Sequence, residues 1–401
     1  MTTGSIQQIL HPIITTKVIS RIAVAENPLL RLFGMEPGGP CEMKIGHRQH
    51  GYDTFNNVRT AAQAAAPGRP AATVTRNPVG RVNVTIARAH EKLPLLAEEL
   101  HNYRPIGGSS AVFDNMGASF IRRQQRFMGQ RIGNFRAAML AGMIQGKMYL
   151  HKSGDNMYYN FTSAGALLTI DFQRPNSTST GENYNQLNMI GTANTDPSTG
   201  LAGAPIIQSS WANPSTDITK HIASLDVTLQ TTVGTNLGRI ICGEDIWQAV
   251  TENDYVIAKA GIAQSPFSEY IRDESNELDN PKNVKKCRLR AFPWLEWIIV
   301  DSVLQLGALG SETYTKFVPA GCFWFGPKAP NPLFWEIALG SEPVSEGPNM
   351  PWVDKMGMTS WTTYTYDPTG VYLYTLDNAI PCEYIPAASG LATAFFTGTA
   401  A

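Results

Sequence analysis

The sequence predicts a mixed α+β chain that contains one unusually long helix and one long β-hairpin. Three observations predict this class. The stretch from Phe113 to Leu150 keeps an apolar stripe at helical spacing, and a segment before it alternates as a strand does. The last third of the chain is rich in short β-like runs, such as "WLEWIIVD", "KFVPAGCFWFGP" and "WTTYTYDPTGVYLYTL".

The surface of the chain is predicted to carry few charges. Charged residues make up 16% of the chain, hydrophobic residues make up 43%, and the formal net charge is −1. Typical soluble domains carry roughly 25% charged residues. The near-zero net charge excludes binding of polyanions by bulk charge. A sparsely charged surface fits a protein covered by neighbours, because interface centres are depleted in charge. A Thr-, Asn- and Ser-rich β protein without special partners fits the composition equally well.

The cysteines and the N-terminus indicate folding in a cytoplasm. The five cysteines are spread widely and form no CxxC pair, so buried, reduced thiols are expected rather than disulfides or a zinc ribbon. The N-terminal sequence "MTTGSIQQILHPIITTKVIS" has no basic segment followed by an apolar one, so we expect no signal peptide. The longest apolar runs are too short to span a bilayer.

The first hundred residues predict an arm followed by a hairpin. Residues 1–38 resemble an arm with a short amphipathic stretch. In "RVNVTIARA", Val82, Val84 and Ile86 alternate with polar residues, which predicts a strand, and an earlier strand is expected around "CEMKIGHRQ". The intervening "TAAQAAAPGRPAATVTRNP" predicts a loop tip. Because a two-stranded ribbon is only marginally stable in water, we expect it to rest on another surface.

The segment that starts at Phe113 predicts a helix of roughly 50 Å, at about 1.5 Å per residue. Its apolar residues fall within an arc of roughly 80° at 100° per residue. This stripe consists of Ile121, Met128, Ile132, Phe135, Met139 and Met143. Gly129 and Gly133 lie beside it, and a glycine inside a helix costs about 1 kcal/mol relative to alanine. Two such glycines predict that another element approaches the helix closely.

A basic edge adjoins the apolar stripe. From Phe113 to Leu150 the chain has six basic residues and a single acid, Asp114. The arginines of this basic edge are Arg122, Arg123, Arg126 and Arg136. They could contact phosphates of a nucleic acid, or they could pair with acidic residues of this subunit or of a neighbour. The second interpretation is favoured, since the chain has neither a base-reading motif nor a basic domain.

The rest of the chain predicts a small mixed domain and a return to β structure. "ALLTIDF" predicts a strand, and residues 173–216 form a long polar segment. Ile218, Ile222 and Leu225 start a second amphipathic helix. "RIICG" predicts a buried strand, and "EDIWQAVTEN" predicts a short helix whose acids lie at its N-terminal end. "RDESNELDNPKNVKK" predicts a charged surface loop.

No catalytic, cofactor-binding or metal-binding residues are predicted, and we do not expect an enzyme. "GMIQGKM" has the wrong spacing for a phosphate-binding loop, and the chain has no GxSxG, HExxH or GxGxxG motif. His47 and His50 follow Cys41 and could be considered as metal ligands. In an alternating strand, however, residues three apart point to opposite faces, so one metal could not easily take both histidines.

The order of these parts resembles the Hong Kong 97-type major capsid protein of tailed bacteriophages, and the detail is most similar to its lambda-type major head protein branch. The resemblance covers roughly Pro28 to Phe396. The segments that carry it are "RAHEKLPLLAEEL", "IICGEDIWQAVTEN" and "WTTYTYDPTGVYLYTLDNAIPCEYIPAASGLATAFF". The polar segment 173–216 is longer than this family leads us to expect, which indicates an insertion. We find no Lys–Asn–Glu set that would transfer the family's crosslinking chemistry to this chain.

The resemblance implies a division of the chain into five segments. They are an N-terminal arm (1–38), an E-loop hairpin (39–94), the spine helix with the first part of the P-domain and the polar insertion (95–235), an A-domain (236–345) and a C-terminal return to the P-domain (346–401). The apolar stripe would then pack on the chain's own P-domain. The basic edge would meet a neighbouring subunit or face the lumen of a shell.

The function implied by the resemblance is that of a structural capsid subunit. Hexamers and pentamers of the chain would assemble into an icosahedral shell that encloses phage double-stranded DNA through non-specific contacts. A separate scaffolding protein and a portal are expected as partners, a decoration protein is left open, and no membrane is expected. Assembly would take place in the host bacterial cytoplasm. Two alternatives stay open, namely an encapsulin-like protein compartment and a tail or glycan-binding structural protein.

Overall fold

The structure, a computed structural model, describes residues 12–47, 49–55, 79–96, 110–153, 156–172, 207, 209–260, 271–273, 284–307, 312–328, 330–345, 352–366 and 369–395. Within these residues the chain forms six α-helices and twenty β-strands. The prediction of a mixed α+β chain is therefore confirmed.

The elements follow one another along the chain in three groups. The first group is α1 (Pro12–Glu26), α2 (Pro28–Leu32), β1 (Glu42–Lys44), β2 (Gln49–Phe55), β3 (Val79–Thr85), β4 (Arg88–Leu96), α3 (Ser110–Gln145), β5 (Lys147–Ser153), β6 (Asn156–Asn160) and β7 (Leu168–Asp171). The second group is α4 (Ile218–Thr232), β8 (Arg239–Cys242), α5 (Glu244–Thr251), α6 (Asp254–Ala260), β9 (Ile271–Asp273), β10 (Val284–Leu289), β11 (Phe292–Val300), β12 (Val303–Leu306) and β13 (Thr313–Lys316). The third group is β14 (Cys322–Gly326), β15 (Trp335–Leu339), β16 (Ser341–Ser345), β17 (Trp352–Met356), β18 (Thr359–Tyr366), β19 (Thr369–Glu383) and β20 (Gly390–Thr393).

Contacts between residues divide the chain into two units. The first unit comprises Met1–His50, Asn83–Leu140 and Glu336–Pro381. The second unit comprises Gly51–Val82, Ala141–Trp335 and Cys382–Ala401. The five-segment division expected from the sequence stays a prediction.

The first unit is a sheet with a helix packed on one face. Its strand order is β1-β15-β19-β18, and β4 also pairs with β19. β1 runs parallel to β15, whereas β4 and β18 run antiparallel to β19. On one face, Leu95 of β4 and Leu373 of β19 pack against Ile121 and Met128 of α3. Alternation along the strands therefore gives this sheet one face toward α3 and one away from it.

The second unit is built around a six-stranded sheet of order β20-β14-β8-β11-β10-β9. All four residues of β8 are buried, which fits a central strand covered on both faces. Its core includes Ile222 of α4, Ile246 of α5 and Trp297 of β11. Two smaller sheets, β6-β5-β7 and β12-β13, also belong to this unit.

The local signals account for the helices of the second unit. The Asp217 side chain accepts a hydrogen bond from the Lys220 amide, so Asp217 caps α4 at its N-terminus. Glu244 and Asp245 lie in the first turn of α5, where the helix dipole favours acids. The predictions of α4, β8 and α5 are confirmed.

The hairpin is confirmed, but its first strand was predicted too early. β2 and β3 form a two-stranded sheet, whereas β1 belongs to the sheet of the first unit through its pairing with β15. The Phe55 amide donates to the Tyr384 carbonyl at 2.7 Å, and the Tyr52 ring meets the Tyr384 ring edge-on. The described part of the ribbon thus rests on its own chain. The tip predicted between the strands lies outside the described residues.

Two further expectations are changed by the structure. The predicted charged loop from Arg272 to Lys286 is strand at both ends, because Arg272 and Asp273 belong to β9, which pairs with β10, and 284–286 belong to β10 and pair with β11. In the predicted polar segment, residues 173–206 and 208 lie outside the described residues. The described residues at the C-terminal end of this polar segment belong to the core of the second unit, where the Trp211 ring stacks on the Phe323 ring with centroids 4.7 Å apart.

Replacing Ile132 by Asp is expected to abolish folding of the first unit. The Ile132 side chain is 1% exposed and packs with Ile19 and Met358. A carboxylate there would be buried without a partner, at a cost of about 3 kcal/mol or more. Thermal unfolding and soluble yield measure the effect, with Asn134→Asp at an exposed position of the same helix as the control. Wild-type unfolding of Ile132→Asp would contradict this packing.

Candidate functional site

The long helix α3 presents one buried side and one exposed side. It runs for 36 residues, from Ser110 to Gln145. Five of the six residues of the predicted apolar stripe are buried, and Phe135 is half-buried. The buried members are Ile121, Met128, Ile132, Met139 and Met143. Gly129 faces α1, where an added Cβ would lie 3.1 Å from the Cβ atom of Ile22. The close approach predicted from the glycines is thus present at Gly129.

Three of the four arginines of the predicted basic edge are exposed. Arg122, Arg123 and Arg126 are open to solvent, and the neighbouring Phe127 side chain is 48% exposed. At 100° per residue, Arg122 and Arg126 lie within about 40° of each other around the helix. The helix therefore carries a cationic edge with an apolar group beside it, and we call these three arginines the basic edge from here on.

Arg136 does not belong to the exposed edge on which the sequence placed it, and this part of the prediction is corrected. Its side chain is fully buried in the first unit. Its Nε donates to Asp377 Oδ2 at 2.6 Å and its Nη2 donates to Asp377 Oδ1 at 3.0 Å. Its Nη1 donates to Glu42 Oε1 at 3.1 Å and to the Met35 carbonyl at 3.2 Å. The guanidinium thus joins α3 to β19 and β1.

The charge of Arg136 is stabilised by its partners. Burial alone would lower its pKa, but the charges and hydrogen bonds of Asp377 and Glu42 outweigh burial and raise the pKa above its usual value. A two-pronged guanidinium–carboxylate pair fixes direction as well as distance. The pair therefore sets the rotation of α3 about its axis relative to β19.

A second ion pair on α3 is exposed. Arg131 Nε donates to both oxygens of Glu91 on β4, at 2.7 and 2.8 Å. The Arg131 side chain is 43% exposed, and surface pairs of this kind contribute about 0–1 kcal/mol. The Arg131–Glu91 pair therefore adds little to the placement of α3 that Arg136 provides.

The sheet face away from α3 carries stacked rings and cations. Lys92 Nζ lies 3.7 Å from the centre of the Tyr372 ring. The Trp361 and Tyr374 rings stack with centroids 5.4 Å apart, and His90 stacks on Trp361. Burial, followed by the charge of a neighbouring arginine, lowers the pKa of His90. Sequence reasoning missed this face, although His90 and Lys92 alternate in "RAHEKLPLL".

The second unit contains a buried carboxylate among cations. Glu296 is 2% exposed, and its Oε2 accepts from Arg239 Nη2 at 2.8 Å. Its Oε1 lies 3.1 Å from Arg288 Nη2 and 3.2 Å from Lys328 Nζ. Burial would raise the pKa of Glu296, but the hydrogen bond and charge of Arg239 and the nearby lysines lower it. An acid inside the apolar run "WLEWIIVD" was the signal that could have found it.

The described residues hold no arrangement suited to metal binding. No group of three or more His, Cys, Asp or Glu side chains among them could hold a metal ion. His47 is exposed and His50 is half-buried. None of the helices in the described part of the chain combines the length and the apolar character that a membrane span requires.

The cysteines are buried thiols. All five are buried and none forms a disulfide, namely Cys41, Cys242, Cys287, Cys322 and Cys382. Burial raises the pKa of Cys242 and of Cys322, so both stay protonated at neutral pH and are weak nucleophiles. The prediction that the thiols are buried is confirmed.

Neither a protein-family profile nor a curated protein matches the sequence. Solved structures match most of the chain at low identity. A capsid protein of a prophage of Escherichia coli CFT073 is 12% identical, with a TM-score of 0.41, over 79% of this chain and 79% of that one. The mature capsid of bacteriophage PhiM1 is 10% identical, with a TM-score of 0.43, over 88% of this chain and 84% of that one. An encapsulin complex from Synechococcus elongatus PCC 7942 is 9% identical, with a TM-score of 0.41, over 93% of this chain and 89% of that one.

These three matches are a prophage capsid protein, a phage capsid and an encapsulin. At such identities and TM-scores the likeness does not establish the function, which has to follow from the geometry of the chain's own residues. That geometry consists of a long helix with a fixed rotation, a buried side and a basic edge.

Replacing Arg136 by Lys is expected to destabilise the first unit by about 2–4 kcal/mol. Lysine keeps the charge but loses the two parallel hydrogen bonds to Asp377, and the buried carboxylate is left incompletely paired. Denaturant unfolding measures the loss. The same change at the exposed Arg123 serves as the control, with an expected effect below about 0.5 kcal/mol. Equal effects at the two positions would show that the Arg136 contact does not hold the helix.

Acid is expected to destabilise the second unit through Glu296. Its folded-state pKa lies below the ordinary 4.5. The network therefore contributes its full stability above about pH 4.5 and loses it as the pH falls through the folded-state pKa. Glu296→Gln should remove roughly 3 kcal/mol at neutral pH and flatten the decline in acid. Unfolding measured from pH 3 to 7, with exposed Glu252→Gln as the control, tests this; unchanged pH dependence in Glu296→Gln would refute it.

Proposed function

We propose that this chain is the major capsid protein of a tailed bacteriophage, a structural subunit whose copies assemble into an icosahedral shell around double-stranded DNA. The observation that carries the proposal is α3. It is 36 residues long, about three times the length of an average helix, and it keeps one side on its own unit. The other side carries the exposed basic edge, which can contact a neighbouring copy or the DNA.

The basic edge supports contact between copies or with the cargo. Arg122, Arg123 and Arg126 are exposed beside Phe127, which is half-exposed, and arginine and aromatic residues are enriched at protein interfaces. An acidic surface of a neighbouring copy suits this edge, and so do the phosphates of packaged DNA. The net charge of −1 suits a container that does not hold its DNA tightly.

The ribbon supports the same proposal. β2 rests on its own chain at Tyr384, through Phe55 and Tyr52, while the segment 56–78 is rich in small residues. We propose that this segment extends onto an adjacent copy. Repeated head-to-tail contacts of this kind generate a closed assembly when the rotation between successive copies brings the last copy back to the first.

The proposal extends to the assembly partners of the chain and to the branch of capsid proteins that it belongs to. Hexamers and pentamers would form the shell, a separate scaffolding protein would guide its assembly in the host cytoplasm, and a portal would fill one vertex. Among capsid proteins we propose the lambda-type branch, because of the segments "RAHEKLPLLAEEL" and "IICGEDIWQAVTEN".

Electron microscopy of the purified protein tests the proposal directly. The chain is expressed alone and together with a scaffolding protein, and particles are imaged by negative stain. Closed shells of uniform size are expected, with nuclease-protected DNA in particles taken from phage-producing cells. A folded monomer under both conditions would refute the shell. Particles that hold a protein cargo and no DNA would refute the phage capsid in favour of a compartment.

Removing the charge of the basic edge is expected to impair assembly and leave folding intact. The variant replaces Arg122, Arg123 and Arg126 by Gln. Because these side chains are exposed, the unfolding free energy should change by less than about 1 kcal/mol. Particle yield should fall, and its dependence on NaCl should weaken, since fewer charge contacts remain to be screened.

A matched control removes the same charge elsewhere on the surface. It replaces the exposed Arg21, Arg31 and Arg290, which lie outside both the basic edge and the ribbon, by Gln. Sedimentation of particles across a NaCl series compares the two variants. If both assemble equally well, the basic edge is not an assembly contact.

A further inference from the structure

The side chain of Trp211 anchors the segment 209–216 to the core of the second unit. Trp211 is 1% exposed, and its ring stacks on the Phe323 ring with centroids 4.7 Å apart. The Trp211 amide donates to the Ala394 carbonyl at 2.9 Å. The indole nitrogen therefore lies in the core, where it needs a hydrogen-bond partner because a buried donor without one is destabilising.

His221 of α4 is the partner of this indole nitrogen. Trp211 Nε1 donates to His221 Nδ1 at 3.1 Å, and His221 is 8% exposed. Because an indole nitrogen can only donate, Nδ1 must accept and carries no proton. The His221 ring is therefore neutral while Trp211 is attached, with its one proton on Nε2. Protonation of the ring would put a second donor opposite the indole N–H, and the hydrogen bond would be lost.

The surroundings of His221 keep its ring neutral. Its pKa lies below the ordinary 6.5, chiefly because burial disfavours the charged ring. The carboxylate of Asp217, which caps α4, raises this pKa by a smaller amount, and the charge of Lys220 lowers it. Helix α6 packs against α4 and begins with Asp254, which is exposed. The attached histidine therefore takes up a proton less readily than a histidine in water.

A second set of contacts holds the C-terminal part of the same segment, and its groups do not titrate near neutral pH. Asn253 Nδ2 donates to the Pro214 carbonyl at 2.7 Å and to the Thr216 carbonyl at 2.8 Å. The Thr216 hydroxyl donates to a backbone carbonyl of the segment at 2.8 Å. Amides, hydroxyls and carbonyls keep their protons across this pH range. The hold at Pro214 and Thr216 is therefore independent of pH, whereas the hold at Trp211 depends on His221.

We propose that Trp211 and His221 form a pH-sensitive switch, which detaches the Trp211 end of segment 209–216 from the core in mild acid. Well above pH 6.5 the histidine is neutral in both states, so the attached state has its full stability. As the pH falls below about 6.5, the detached histidine, which is open to water, gains a proton that the attached one does not. Detachment then increases by up to about tenfold per pH unit. The proposal concerns the free chain and goes beyond its proposed role in a shell.

Hydrogen exchange of the full-length chain between pH 8 and pH 5.5 tests this switch. After correction for the intrinsic pH dependence of exchange, the protection of amides in 209–216 reports the balance between the attached and detached states. Protection in the wild type should be constant from pH 8 to pH 7.5 and should fall by about three- to tenfold from pH 7.5 to pH 5.5. Amides of β11 serve as the internal reference and should keep their protection. Constant protection of 209–216 over the whole range would overturn the proposal.

Two variants assign the response to the contact between Trp211 and His221. His221→Gln puts an uncharged acceptor in place of the ring and should abolish the pH dependence of protection in 209–216. Trp211→Phe keeps an aromatic ring on Phe323 but loses the indole N–H, and should weaken that dependence. His47→Gln, at an exposed histidine, is the matched control and should respond as the wild type does. A folded His221→Gln chain that keeps the wild-type response would overturn the proposal. The wild-type titration alone can also overturn it, so the result does not depend on the folding of a variant.

Discussion

The buried contact between Arg136 and Asp377 is the constraint on which the first unit depends. Apolar burial along the stripe of α3 is strong but non-directional, so it would tolerate sliding or rotation of the helix. A shift of one residue turns the helix by about 100° and would carry the guanidinium away from β19. Because Arg136 also reaches Glu42 and the Met35 carbonyl, the contact admits a single register among three elements.

The other features of the first unit follow from that register. With α3 fixed, Gly129 and Ile132 pack against α1. This packing places the Thr16 hydroxyl within hydrogen-bond distance of the Ser360 carbonyl on β18. The same rotation leaves Arg122 and Arg126 exposed on the edge that adjoins the apolar stripe. The proposed assembly edge and the packing of α1 on α3 are therefore two consequences of one helix position.

The sequence predicts what is local and misses what is distant. The helix α3 and its apolar stripe follow from the helical spacing of apolar residues, which is visible within the α3 segment itself. The role of Arg136 cannot be predicted from local spacing, because its partner Asp377 lies 241 residues further along the chain. The first hairpin strand was misplaced for the same reason. Periodicity identifies β1 as a strand but cannot show that its partner is β15, nearly 300 residues later, rather than β3. Glu296 escaped notice because its cations come from three separate segments.

A double-mutant cycle on Arg136 and Asp377 tests the central claim most directly. The cycle compares the unfolding free energies of Arg136→Met, Asp377→Leu and the double variant, which replaces both ends of the contact by apolar side chains. Arg136→Met leaves the buried Asp377 carboxylate without its guanidinium, and Asp377→Leu leaves the guanidinium with Glu42 as its remaining carboxylate partner. The double variant should therefore be less destabilised than the two losses added, with a coupling of at least about 2 kcal/mol. Losses that add to within about 0.5 kcal/mol would show that the two residues act independently, and the helix would then owe its register to packing alone.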